Sequence, residues 1–138
     1  MYFENTPSLR SQKIGGYEIS NKFLVKSLIL FKDKKIRGIF QPHLFTRTRD
    51  LIDEFVESLE LLDELILLEI YPAREQPIEG INAQFILDKI KLKNKRICSK
   101  DEIIPYLKDQ QLEVLLTMGA GDIDKLVQPI KENLDSKK

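Results

Sequence analysis

At 138 residues, with 42% hydrophobic and 32% charged residues, the chain is long enough for one ordinary domain with a real core. Lys plus Arg and Asp plus Glu each total 22, so no net field draws it to nucleic acid or to an acidic membrane. Cys98 is the only cysteine, which excludes an internal disulfide and a multi-thiolate metal site, and no apolar run approaches a membrane span or a signal-peptide core; a cytoplasmic setting fits.

Residues 1–20 contain Asn5, Pro7, Ser8, Gly15 and Gly16 without a clear period and read as a loosely structured lead-in to a domain over residues 21–138. Ser20 can cap a helix carrying Phe23, Leu24, Leu28 and Phe31. Residues 36–40 read as a short buried strand, which Pro42 ends because it cannot donate to a strand ladder. Leu51, Ile52, Phe55, Val56, Leu59 and Leu62 then recur at helical spacing, so a helix starts near residues 46–50, with Thr46 or Thr48 as its N-cap.

A strand over residues 64–70 follows, then a loop stiffened by Pro72 and Pro77, and a helix near residues 82–91 with Phe85, Ile86 and Ile90 on one side. Arg96, Ile97 and Cys98 suit a short strand. Ser99 and Glu102 have the spacing of a capping box at the start of the next helix. Residues 114–117 form the last strand, and residues 122–134 a terminal amphipathic helix. Strands alternating with helices in this way predict an α/β fold with a doubly wound, largely parallel sheet and helices on both faces.

In such a sheet, ligands collect at the carboxyl ends of strands. Three loops belong there. The first holds His43, the single histidine, with Arg47 and Arg49 at a helix start, where the macrodipole is already positive and only Asp50 compensates. That grouping invites a carboxylate or a phosphate. The plainer alternative pairs the arginines with Asp53 or Glu54 on the surface and leaves His43 a structural residue. The second loop, residues 71–77, is either a further binding edge or a stiff connection exposing Arg74 and Glu75. In the third, Gly119, Ala120 and Gly121 permit a tight turn and close approach to a ligand at a helix start. Asp122 is equally a good N-cap that would repel a phosphate, and the stretch is neither a full dinucleotide fingerprint nor a P-loop.

Taken in order, Phe40-Gln41-Pro42-His43 with Thr46-Arg47-Thr48-Arg49-Asp50, Tyr71-Pro72-Ala73-Arg74-Glu75 with Pro77-Ile78-Glu79-Gly80, and Leu116-Thr117-Met118-Gly119-Ala120-Gly121-Asp122-Ile123 closely resemble the carboxy-terminal domain of the Mur ligase family of peptidoglycan synthesis, in its alanine-adding branch. The match covers about residues 36–134. It implies a Rossmann-like domain that closes over a central ATP-binding domain and delivers the amino acid. In that family ATP phosphorylates the carboxylate of UDP-N-acetylmuramate, and the amine of L-alanine attacks the acyl phosphate to form an amide.

Carried onto this chain, the resemblance implies that Arg47 pairs with the alanine carboxylate and that His43 helps to orient the amino acid. Arg49 and Arg74 would serve the substrate or the domain interface, and Gly119, Ala120 and Gly121 would shape the cleft wall. ATP and Mg²⁺ would be held mainly by the central domain, so this chain would need the central and amino-terminal ligase domains to catalyse, and it should supply no metal ligands of its own. Two departures stand out. Leu44 occupies a position where many members carry a second arginine, and Lys13 to Asn21 replaces a His-His-Pro loop that a chain with one histidine cannot contain. A stand-alone α/β binding module without ligase activity, and a domain of the related peptide-adding muramate ligase, remain the alternatives.

Overall fold

The computed structural model describes residues 2–5, 28–119 and 121–135. Its elements are β1 (Tyr2–Asn5), β2 (Ile36–Gln41), α1 (Phe45–Asp50), α2 (Ile52–Leu59), β3 (Glu64–Leu67), α3 (Ala83–Leu87), β4 (Lys95–Ile97), α4 (Lys100–Lys108), β5 (Val114–Gly119) and α5 (Asp124–Asp135). The strands form one sheet in the order β1-β5-β2-β3-β4, and each described pair is parallel.

Successive residues of a strand face opposite sides, so apolar runs in a sheet covered on both faces feed two cores. Ile36, Phe40, Leu65, Leu67, Val114, Leu116 and Met118 pack on one side with Phe55, Leu59, Ala83 and Ile86, from α2 and α3. Ile39, Ile66, Leu68 and Leu115 pack on the other with Ile103, Leu107, Ile123, Ile130 and Leu134, from α4, α5 and the turn before α5. Helices therefore cover both faces, as the alternation of strands and helices predicts. Each fully buried Leu, Ile or Val contributes roughly 1.5–3 kcal/mol over its exposed state.

Local signals set several boundaries as expected. β2 ends one residue before Pro42. Asn82 caps α3 by accepting from Phe85 N at 2.9 Å. The capping box of α4 forms, with Ser99 N donating to Glu102 Oε1 at 2.8 Å.

Other boundaries differ. Tyr2–Asn5, inside the stretch read as a lead-in, pair with β5 as an edge strand, because β5 offers a free parallel edge. The proposed helix from Ser20 is described only from residue 28, and its first part lies outside the described residues. The helix expected through residues 49–62 is two helices parted at Leu51 (φ −114°, ψ 20°). α5 begins at Asp124, two residues after Asp122, whose side chain is engaged elsewhere.

The order of the strands places the site. From β2 the chain steps outward to β3 and β4, then returns to β5 on the opposite side of β2. The reversal between β2 and β5 is the topological switch point, where open α/β sheets form a crevice. Gln41 and Gly119 are register partners at its carboxyl end.

Candidate functional site

Beyond β2 the ladder continues for one step. Tyr71 N donates to the Pro42 carbonyl at 2.8 Å and Leu44 N to the Tyr71 carbonyl at 2.9 Å, which makes His43 and Tyr71 an isolated parallel bridge. Their rings stack, with centroids 5.8 Å apart and planes 15° from parallel. His43 Nδ1 is buried and finds no hydrogen-bond partner among the described residues. Burial, and then the nearby charge of Arg47, lower the imidazole pKa against the opposing pull of Glu75. The neutral ring is therefore favoured.

Leu44 turns the chain out of the ladder at φ 71° and ψ 137° and is the N-cap of α1, without a side-chain cap bond. Neither Thr46 nor Thr48 takes that place. Thr48 Oγ1 donates to the Leu44 carbonyl at 2.8 Å. The cap comes from the second loop: Glu75 Oε1 accepts from Phe45 N at 2.6 Å and Thr46 N at 3.1 Å, and Glu75 Oε2 accepts from Thr46 Oγ1. These donors, the Thr46 hydroxyl foremost, pull the Glu75 carboxyl below its ordinary range. The anion that this helix start invites is supplied from within the chain.

The arginines separate accordingly. Arg49 is exposed and forms a two-pronged pair with neighbouring Asp50, Nε to Oδ1 at 2.8 Å and Nη2 to Oδ2 at 3.3 Å, and not with the Asp53 or Glu54 of the plainer alternative. Arg74 is exposed beside the Ala73 turn, where φ is 53°. Arg47 is half-buried, and its guanidinium makes no hydrogen bond or ion pair with a described residue. Of the four predicted polar residues, His43 and Arg47 are brought together.

At the switch point, Gln41 is the organising side chain. It is 2% exposed; its Nε2 donates to Asp122 Oδ1 at 2.7 Å, and its Oε1 accepts from Ile123 N at 2.9 Å. Lys100 pairs with the second oxygen of Asp122. Burial raises the Asp122 pKa, but the bonds from Lys100 and Gln41 outweigh it and leave a net lowering. Asp122 is thus a tie between β2, α4 and the last turn, not the cap of α5.

The glycines permit this closeness. A Cβ on Gly119, where φ is 153°, would stand 2.8 Å from the Gln41 carbonyl oxygen. One on Gly121 would stand 2.6 Å from Gln41 Oε1 and from Tyr71 Cγ. Ala120, the third expected wall residue, lies outside the described residues. An adjoining cleft of about 410 Å³ is walled by Gln41, Tyr71, Pro72, Ser99, Lys100 and Asp122, with Leu68, Ile70 and Cys98 among its apolar lining. His43, Arg47, Arg49 and Arg74 are outside its walls. Tyr71 both lines the cleft and stacks with His43.

Sequence reasoning missed Gln41, Glu75 and Lys100 as site residues. A glutamine closing an apolar strand was a signal for the first; Glu75 carried none, because its partners lie 29 and 30 residues away. Among the described residues no cluster of three His, Cys, Asp or Glu side chains could hold a metal, and no helix is long and apolar enough to cross a membrane. Two of the N–H groups at the start of α1 are already taken by Glu75.

A parallel α/β sheet wound on both faces, with polar residues gathered at its carboxyl edge, defines a Rossmann-like domain. More particularly, the chain belongs to the family of the UDP-N-acetylmuramate–L-alanine ligases, of which it matches the carboxy-terminal part. It is 52% identical to the ligase of that name from Parabacteroides distasonis over 105 residues, covering 76% of this chain and 23% of that protein. To the one from Flavobacterium psychrophilum it is 51% identical over 108 residues, 78% of this chain and 24% of that protein. To the one from Cytophaga hutchinsonii it is 44% identical over 130 residues, 94% and 28% of the two chains. The chain spans about a quarter of the length of these curated relatives. No family model matches it.

Proposed function

We propose that the chain is the amino-acid-binding part of a cytoplasmic ATP-dependent ligase that joins L-alanine to UDP-N-acetylmuramate in peptidoglycan synthesis. The observation that carries this reading is Arg47: a half-buried guanidinium without a partner among the described residues, beside a neutral His43, in a chain about half identical to ligases named for that reaction.

A guanidinium presents two parallel N–H donors that match a carboxylate, so Arg47 fixes the orientation of L-alanine as well as its charge. His43, with its neutral form favoured, stands beside Arg47 without adding positive charge near the amine that must attack. With Leu44 in place of a second arginine, the carboxylate clamp rests on Arg47 alone. Arg49 and Arg74, both exposed, suit the interface with the rest of the ligase. ATP, when bound, supplies the phosphoryl group that activates the muramoyl carboxylate; with Mg²⁺ it is assigned mainly to the central domain of the complete ligase, on the resemblance to that family.

The test is an amide NMR titration of this chain with L-alanine, following residues 41–50. Shifts confined to that segment and absent in Arg47→Ala support the reading. In the complete ligase the same substitution should raise the alanine requirement by roughly 10- to 150-fold, the equivalent of a charge-assisted pair worth about 1.5–3 kcal/mol. An unchanged alanine dependence would sink the proposal.

A further inference from the structure

We infer that Glu75 is a positioning residue for the amino-acid site: by capping α1 from the second loop it holds Arg47, His43 and Tyr71 in one arrangement. The inference rests on the amino-acid-binding role proposed for Arg47 and His43.

α1 cannot hold its own start. It has six residues, no acidic residue in its first turn, and a leucine N-cap that offers no side-chain acceptor. Two of its four orphan N–H groups, and the hydroxyl of Thr46, are satisfied by one carboxylate 29 to 30 residues further on. Such a short helix is marginal by itself, so its direction follows what holds its ends.

The same contact fixes the second loop. Tyr71 is tied to β2 through Pro42 and Leu44, and Glu75 N donates to the Pro72 carbonyl at 2.9 Å, which carries the turn from the Tyr71 anchor to the Glu75 anchor. Between these points Leu44 is kept at positive φ, a conformation a leucine abandons when nothing enforces it. Release of Glu75 would free Leu44, and with it the angle between the His43 ring, at the end of β2, and the Arg47 side chain, in the first turn of α1. Glu75 touches neither side chain by a hydrogen bond. Its effect on the site is through α1 and through its field on the imidazole.

Two substitutions separate these effects. Glu75→Gln keeps an oxygen acceptor for Phe45 N and Thr46 N and loses the charge; Glu75→Ala loses both. We expect Glu75→Ala to weaken L-alanine binding by about tenfold and to shift the Tyr71 and His43 ring resonances, while Glu75→Gln stays within about threefold of the wild type. Both should lower the His43 pKa, because both remove the negative charge that raises it. A residue that merely stabilises the fold would change the melting midpoint and leave the affinity below the transition, and the ring resonances, as they were.

If Glu75→Ala binds L-alanine as the wild type does and keeps the ring resonances, the inference is overturned. If the wild type itself does not bind L-alanine, the functional reading fails, and the ring resonances of the two variants still decide the positioning role. Should Glu75→Ala not fold, Thr46→Val, which removes the hydroxyl donor and keeps both N–H bonds, must show the same displacement in smaller measure; ring resonances unmoved there would equally overturn it.

Discussion

The ring of His43 lies 5.8 Å from that of Tyr71 and 15° from parallel to it, so the chain's single imidazole is shielded by the residue that opens the second loop. Burial there, followed by the Arg47 charge, lowers its pKa from the ordinary 6.5. A lowered folded pKa means that the unfolded chain binds the proton more readily between the two values. Stability is therefore full above about pH 6.5 and falls as the pH drops through the folded pKa. Chemical denaturation from pH 8 to 5 should show this loss in the wild type, and His43→Phe should lack that part of the slope.

Leu44 has φ 71° and ψ 137°, a region that glycine enters without penalty and leucine does not. Leu44→Ala and Leu44→Gly remove nearly the same side chain and differ in that strain. Glycine should be the more stable of the two by roughly 1–3 kcal/mol, the reverse of the usual order. Equal midpoints in urea would show that the backbone is unstrained.

Gly121→Ala puts a methyl 2.6 Å from both Gln41 Oε1 and Tyr71 Cγ. Displacing either should cost about 1–3 kcal/mol. Because Tyr71 carries the His43 stack, the substitution should also move the His43 resonances, although no atom of Gly121 is near that ring among the contacts a Cβ would make.

Asp122→Ala leaves the buried Gln41 amide without its acceptor and should cost about 1–3 kcal/mol. Asp122→Asn retains a carbonyl oxygen for Gln41 and should cost less. The wild-type carboxyl, raised by burial but brought below its ordinary 3.8 by Lys100 and Gln41, contributes stability that is present above about pH 3.8 and lost as pH falls through the lower folded value. Asp122→Asn should flatten that acid limb, which thermal melts between pH 5 and 2 would read.

Features that depend on residues within one turn of each other were legible in the sequence. Pro42 ends β2 by lacking a donor, and Ser99 and Glu102 close their capping box across three residues. The helix break at Leu51 was not legible, since the apolar spacing runs through it unbroken. α1 is held by the Glu75 cap, whereas α2 is held by Phe55 and Leu59 in the core, and Leu51 leaves regular helical geometry between the two anchors.

The sequence by itself determined the parallel α/β architecture, the alternating strands that feed two cores, and the segment from Gln41 to Asp50 as the place to look, because periodicity and turn chemistry are local. Only the tertiary structure decided which charges are free. Glu75 reaches α1 across 30 residues and Gln41 reaches Asp122 across 81, and these contacts satisfy the helix start and the third loop. Arg49 falls to its neighbour Asp50, and Arg47 is left half-buried without a partner among the described residues. A pairing between distant side chains exists only once the sheet has brought the ends of its strands together, and no spacing along the chain records it.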